Sequence, residues 1–310
     1  MKRLLDTRNC DKKTWLLARK NGLTGTDAAA IMGLNPYSSA FQIYQDKITP
    51  DVEMYDNERL RQGRDFEEYV AKRFCEETGY KVRRANALFQ SNDYPFMLAD
   101  FDRLIVGEDA GLECKTVSPY ASSNWKDGNV PLHYILQCQH YIAVSGAKKW
   151  FIAGLILGEG LVIHEIQRDE EMIQNLITIE ERFWNENVVK RVMPDPDGTK
   201  SCAEQISKMY FRADGETTID LLGFDDALKR REELVQLIDK LDKEKATIDQ
   251  KIQLQLQDSC FGVTRDFKVS WLPTETKRLD TKKLRAEHPD IYDECSKQVR
   301  CRRFMVKRVA

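Results

Sequence analysis

Apolar positions recur at three- and four-residue spacing in some stretches and crowd into short runs in others, and this contrast divides the chain. Residues 11–20 carry a helical pattern that stops at Asn21-Gly22. A Gly/Thr-rich turn through Thr26 follows, then a short helix over 28–32 with Asp27 as its cap. Residues 41–48 and 57–78 are also helical in pattern, the second closed by Gly79 in the position that favours a left-handed cap. Strand-like runs then occupy 80–84, 87–90, 96–106 and 111–117, separated by Ser91-Asn92-Asp93 and Gly107-Glu108-Asp109. A helix from Pro131 to about Val144, strands at 150–157 and 161–166, and a helix over 169–190 complete the series. Helix, strands, helix, strand predicts an α/β core with one mixed central sheet flanked by helices.

The segment Met193-Pro194-Asp195-Pro196-Asp197-Gly198 breaks any regular element and is the clearest linker. It divides the chain into a first domain, 1–195, and a C-terminal extension, 196–310. In the extension, apolar residues at 234, 238, 241, 248 and 252 predict a helix of some 35 residues, about 222–257. A helical hairpin and an intermolecular coiled coil account equally well for that face.

Composition narrows the class. A chain of 310 residues with 42% apolar and 32% charged positions is an ordinary globular one, and 48 basic against 50 acidic residues leave a net charge of −2. Global charge therefore gives no reason to expect a nucleic-acid partner; only local patches do. Eight scattered cysteines without C-x-x-C spacing, and four histidines, point away from a zinc ribbon and towards reduced thiols. No apolar leader and no run of 18 apolar residues is present, so the expectation is a cytoplasmic protein without membrane spans.

The chemistry concentrates between Leu98 and Val117. Asp100 falls near the start of one strand, and Glu113 and Lys115, two apart on the next, project to one face. Two carboxylates and an ammonium on one sheet face suit Mg²⁺-assisted hydrolysis, with the lysine orienting or deprotonating a water. The acid-x-Lys triplet by itself occurs six times in the chain, and five of those read as solvated surface. Only the triplet at Glu113 lies in an apolar strand.

Glu67 or Glu68 on the 57–78 helix could turn a third acid towards the sheet; a solvated pair is the alternative. Gln137 and Tyr141, four apart, share a helix face, which serves packing as readily as catalysis. Residues 1–26 carry seven basic against two acidic side chains, a local +5. There Arg19 and the loop through Thr26 make either a phosphate seat or a flexible, capped loop.

Taken in order, these pieces resemble the phage-type recombination exonucleases of the lambda exonuclease/YqaJ group, within the PD-(D/E)xK nuclease superfamily. The resemblance runs through Trp15 to Arg19 and Thr26, Gly63-Arg64-Asp65-Phe66-Glu67, Ala99-Asp100, Leu112-Glu113-Cys114-Lys115-Thr116, and Gln137-Cys138-Gln139-His140-Tyr141. It implies a restriction-endonuclease-like core in which Asp100, Glu113 and the Cys114 carbonyl hold Mg²⁺, with Mn²⁺ able to substitute. Lys115 would position the water, and Glu67, rather than Glu68, would be the helix-borne acid, serving a second metal or a water. Gln137 and Tyr141 would lie beside the centre. Arg19, Thr26, Trp15 and Arg64 would meet DNA and the terminal 5′-phosphate. Thr26 stands where serine is more usual.

The implied activity is 5′-to-3′ digestion of one strand of linear double-stranded DNA, leaving 3′ tails for recombination. A trimeric ring around DNA and a single-strand annealing partner of the RecT/Red-beta type are implied as well. A restriction- or Cas4-like endonuclease and a DNA-end-binding protein are the alternatives. In the tail, 259–310, thirteen basic residues against seven acids give +6, which fits either a strand-rich subdomain gripping DNA backbone or a solvated face.

Overall fold

The computed structural model describes every residue except 53, 55, 213, 214, 216, 299–301, 309 and 310. The chain forms two compact units, Met1–Tyr210 and Phe211–Ala310. The first unit opens with β1 (Lys2–Asp6), α1 (Lys12–Arg19), α2 (Gly25–Ile31), α3 (Ala40–Ile48) and α4 (Glu58–Thr78). Strands β2 (Val82–Arg84), β3 (Ala87–Gln90), β4 (Leu98–Asp100), β5 (Arg103–Ile105) and β6 (Ala110–Val117) follow. After a 3-10 turn (Pro119–Trp125) come α5 (Leu132–Ser145), β7 (Lys149–Ile156), β8 (Gly160–Gln167), α6 (Glu170–Arg182) and α7 (Lys200–Met209).

The mixed central sheet that the sequence predicts is present, and a second sheet accompanies it in the first unit. Five strands run in the order β2-β5-β6-β7-β8, with β6 and β7 parallel and the other pairs antiparallel. A second sheet has the order β1-β3-β4. The run 96–106, expected as one strand, bends at Phe101-Asp102 because Phe101 turns into the core, so β4 joins one sheet and β5 the other. The β1 strand lies outside the predicted elements: its Lys2-Arg3 start reads as a basic tail, yet it pairs with β3 as a sheet edge.

Alternation along β7 shows how the large sheet is covered. Trp150, Ile152 and Ile156 belong to one core with Ile142 and Tyr141 of α5, whereas Phe151, Ala153 and Leu155 pack with Val70, Ala71 and Phe74 of α4. Both faces are dry, which is why the strand reads as a continuous apolar run. On β6, Ala110, Leu112 and Cys114 take the α4 side, so Glu113 and Lys115 must face α5. Helices α4 and α5 end where expected, at Gly79 and Gly146, both at φ 76.

Two further boundaries move. Thr24, not Asp27, is the cap of α2. Asp27 sits in the first helical turn, where its carboxylate accepts from the Thr24 N–H (2.9 Å) and pairs with Lys47 (2.9 Å). The predicted helix over 169–190 is α-helical only to Arg182 and then becomes a π-helical turn, Phe183–Val189. Beyond the proline-rich linker, α7 returns to the first unit: Cys202 is buried and Ser201 donates to Gln42 of α3 (2.7 Å).

The second unit contains α8 (Asp225–Leu256), the two-stranded hairpin of β9 (Phe261–Val263) and β10 (Lys268–Ser270), α9 (Thr281–Glu287) and α10 (Pro289–Cys295). It is less strand-rich than expected, and α8 buries none of its side chains. Arg300, one of the tail's basic residues, lies outside the described residues, as does Cys301; the seven described cysteines are free thiols. No helix among the described residues is long and apolar enough to cross a membrane.

A buried dyad ties β4, α5 and α6 together. His140 Nε2 donates to the Leu98 carbonyl, and Nδ1 meets Glu180 Oε1, each at 2.8 Å. Burial alone would lower the His140 pKa, but the Glu180 carboxylate outweighs it and raises it; burial raises Glu180 in turn. The pair thus keeps one proton that an unfolded chain holds only below the ordinary histidine value of 6.5. Stability from this proton is fully present below that value and is lost as pH rises through the folded His140 pKa. We expect the unfolding free energy to fall above neutrality by up to about 1.4 kcal/mol per pH unit, and His140→Gln to flatten that slope. Urea titrations between about pH 6 and 9 measure it; an unchanged slope in the variant would contradict the assignment.

Candidate active site

The parallel pairing of β6 with β7 fixes Glu113 and Lys115 in the sheet, and α5 closes over them. Glu113 is 4% exposed. Its Oε1 receives Lys115 Nζ at 2.6 Å and Gln137 Nε2 at 2.7 Å. Lys115 Nζ also donates to Gln137 Oε1 (3.1 Å), and Gln137 Nε2 reaches the Tyr141 hydroxyl (2.8 Å). Four of the expected residues, Glu113, Lys115, Gln137 and Tyr141, therefore form one hydrogen-bonded group. Its backing is tight, since a Cβ on Gly25 would lie 2.8 Å from Tyr141 Cε1 and 3.0 Å from Gln137 Cγ. Only glycine lets α2 approach α5 this closely.

The other carboxylates come from the bend between β4 and β5. Asp102 Oδ2 accepts the backbone N–H of Cys114 at 2.8 Å, which sets this carboxyl beside the strand residue between Glu113 and Lys115. The Cys114 carbonyl points to the same strand edge as its N–H. Beyond Arg103 and Leu104, β5 no longer pairs there. Asp100 lies a step outward: its Oδ2 accepts Trp15 Nε1 at 2.6 Å. Asp102 lies outside the expected site residues, because the apolar run hides the bend and Ala99-Asp100 offers an acid first. The Asp100-Phe101-Asp102 spacing was the available signal.

Burial and then the negative charges of Glu113 and Glu67 push the Asp102 pKa well up. Burial likewise raises Asp100, only partly offset by the Arg19 charge and the Trp15 hydrogen bond. For Lys115, burial acts downward, but the Glu113 carboxylate outweighs it and holds the ammonium protonated far above neutrality.

Glu67 approaches from the α4 side, opposite the face of Glu113. Arg103, paired with Leu112 and so on the α4 face, is buried and binds Glu67 with one nitrogen and Glu68 with another (2.9 Å). Neither glutamate is a merely solvated one. Arg64 is drawn elsewhere: it is exposed and spans the Asp56 carboxylate at 3.0 and 2.7 Å.

Arg19 and Trp15 form a second cluster that reaches Asp100 through the Trp15 N–H. The guanidinium lies 4.5 Å from the Trp15 ring centroid, and its Nη2 donates to Thr24 Oγ1 (2.9 Å) and Thr26 Oγ1 (3.3 Å). Thr24 was not among the expected residues; its hydroxyl also meets Asp27.

Among the described residues, no three His, Cys, Asp or Glu side chains converge tightly enough to hold a metal ion by themselves. Two observations nevertheless fit a hard divalent cation. Glu113 Oε2 is buried without a hydrogen-bond partner among the described residues, and the negative charges of Asp102 and Glu113 oppose one another. Asp102, Glu113 Oε2 and the Cys114 carbonyl supply the oxygen donors that Mg²⁺ prefers.

Comparison with known proteins agrees with this architecture. The model of the YqaJ-like viral recombinase domain matches residues 14–148, an interval that includes every residue of both clusters. The YqaJ protein of Bacillus subtilis (strain 168) is 35% identical over 300 residues, covering 96% of this chain and 94% of that one. Among solved structures, the alkaline exonuclease LHK-Exo from Laribacter hongkongensis is similar with a TM-score of 0.50 at 20% identity, over 57% of this chain and 92% of its own. The same protein in complex with dAMP aligns with a TM-score of 0.51. The first unit thus has the PD-(D/E)xK fold of phage-type exonucleases, and by its sequence the chain belongs to the YqaJ family.

Proposed function

We propose that this chain is a Mg²⁺-dependent exonuclease, with Mn²⁺ able to substitute. On this reading it degrades one strand of linear double-stranded DNA from the 5′ end and leaves a 3′ single strand for recombination. The observation that carries the proposal is the division of Glu113: one oxygen is bound by Lys115 and Gln137, and the other is buried without a hydrogen-bond partner among the described residues, while Asp102 holds the N–H of the adjoining Cys114. Asp102, Glu113 and the Cys114 carbonyl would hold the cation. We rank Asp102 ahead of Asp100 because its carboxyl adjoins Cys114 while Asp100 is engaged by Trp15. A bound divalent cation supplies Lewis-acid polarisation of the phosphate and a more acidic water.

Lys115, held by Glu113 and Gln137, would meet the water and the phosphate at this centre. It orients water with one N–H and places positive charge where the phosphate gains negative charge. Gln137 fixes both Lys115 and Glu113, and Tyr141 fixes Gln137. Glu67 positions Arg103 at the foot of the Asp102 bend, where Arg103 also donates to the Asp102 carbonyl (2.7 Å).

Strand polarity would come from Arg19. A planar guanidinium beside two threonine hydroxyls suits a doubly charged terminal phosphate better than an internal diester. Trp15 links this seat to Asp100 of β4. Oligomerisation into a ring and an annealing partner of the RecT/Red-beta type rest on the family resemblance alone.

Digestion of linear and covalently closed duplex with Mg²⁺ tests the reaction class. The linear form should be degraded and the closed circle left intact; cutting of circles would favour an endonuclease instead. Glu113→Gln and Lys115→Ala should each lower the hydrolysis rate by about a hundred-fold or more, with duplex affinity in Ca²⁺ changed only a few-fold. Near wild-type turnover in either would overturn the proposed centre.

Arg19→Ala should remove the preference for 5′-phosphorylated over 5′-hydroxyl ends, seen as converging initial rates. Retention of the wild-type preference would place the seat elsewhere.

A further inference from the structure

A buried lysine stands behind the Arg19 cluster and belongs to neither group of site residues. Lys47, in the last turn of α3, has a side chain only 2% exposed. Its Nζ pairs with Asp27 Oδ2 at 2.9 Å and donates to the Arg19 carbonyl at 3.0 Å. It therefore ties the end of α1, which carries Arg19, to the first turn of α2, which carries Asp27. At that depth Lys47 cannot itself touch a DNA end.

Helix capping does not call for this charge. Asp27 Oδ2 accepts the Thr24 N–H (2.9 Å) and the Thr24 hydroxyl (3.1 Å), and a neutral amide closes such a box as well as a carboxylate does. Nor does stability call for it. A buried ion pair costs in desolvation about what its attraction returns, so two uncharged side chains would serve the fold equally.

Electrostatics gives the pair a purpose. Burial works to raise the Asp27 carboxyl, but the charge of Lys47 and then that of Arg19 outweigh it and hold it below the ordinary carboxylate value. Asp27 is thus a carboxylate at neutral pH, close enough to Arg19 for the two charges to interact. Left alone, it would take up the charge of the guanidinium and repel an incoming phosphate. Asp100 also acts on Arg19, so an unpaired Asp27 would give one guanidinium two carboxylates to serve. Two other basic side chains nearby are committed elsewhere: Lys20 pairs with Asp46 at 3.1 Å, and His140 shares its proton with Glu180. Lys47 is the cation that offsets Asp27.

We propose that Lys47 is a positioning residue of the terminal-phosphate seat: it neutralises Asp27 and holds the Arg19 carbonyl, so that the Arg19 guanidinium keeps its charge for a 5′-phosphate dianion. The inference rests on the reading of Arg19 as that seat. It adds that the choice between a phosphate and a hydroxyl end is set in part by a residue that never meets DNA.

Binding, not turnover, tests this role, through the sign of a charge change. The full chain is titrated by anisotropy, with Ca²⁺ in place of Mg²⁺, against duplexes of one sequence that end in 5′-phosphate or 5′-hydroxyl. Lys47→Gln, which keeps a donor but not the charge, should cut the affinity ratio of the two ends by about ten-fold. Asp27→Asn/Lys47→Gln removes both charges and should return the ratio to within about two-fold of wild type. Asp27→Asn alone should raise it. A merely structural pair would behave otherwise, because both single variants and the double would lose the preference together. The inference is overturned if Lys47→Gln keeps the wild-type ratio or if the double variant shares its loss. Should Lys47→Gln not fold, Asp27→Asn decides: a higher ratio supports the inference, and an unchanged or lower one overturns it. Arg19→Ala separates the seat from its support. A preference that survives in Arg19→Ala removes the seat itself, whereas loss in Arg19→Ala but not in Lys47→Gln leaves the seat and overturns only the role of Lys47.

Discussion

A single buried carboxylate organises the first unit's chemistry. Removing Glu113 from water costs several kcal/mol unless hydrogen bonds and an opposite charge offset it, and the fold supplies both to one oxygen only. Lys115 and Gln137 converge on Oε1, while Oε2 is buried without a hydrogen-bond partner among the described residues. A core of apolar side chains would serve stability better at this position. The arrangement makes physical sense when the second oxygen has a cation to bind.

The surrounding elements follow from holding that carboxylate in place. Strand β6 sets Glu113 and Lys115 on one face, α5 lays Gln137 and Tyr141 over them, and Gly25 lets α2 press against α5 from behind. The bend at Phe101-Asp102 breaks the sheet at the point where the Cys114 N–H donates to the Asp102 carboxylate in place of a strand. Arg103, buried at the start of β5, gathers Glu67 and Glu68 from α4 and so anchors the other side of that bend.

Much of this was readable from the chain. Helix α4 with its Gly79 cap, helix α5 with Gly146, and the paired projection of Glu113 and Lys115 all follow from strong local periodicity and turn chemistry. Gln137 and Tyr141 were legible as a shared helix face, and the family resemblance assigned that face to the site. What escaped was long-range. A buried arginine such as Arg103 looks like an exposed strand position until its two carboxylates are seen. The capping of α2 was ambiguous because Thr24 and Asp27 belong to the same capping box, and either end of such a box reads as the cap. Asp102 was concealed because a bend inside an apolar run leaves no mark in periodicity. Tyr134 of α5, which lies 4.7 Å from the Lys115 ammonium, and Trp125 of the 3-10 turn behind it are brought together by no local pattern.

The central claim is that Glu113 Oε2 and Asp102, more than Asp100, form the cation site. Mn²⁺ binding measured by electron paramagnetic resonance on wild type, Asp102→Asn and Asp100→Asn tests it without reference to turnover. The expected result is a tight site in wild type that is lost in Asp102→Asn and kept, within a few-fold, in Asp100→Asn. Loss of binding in Asp100→Asn with Asp102→Asn unaffected would contradict the account.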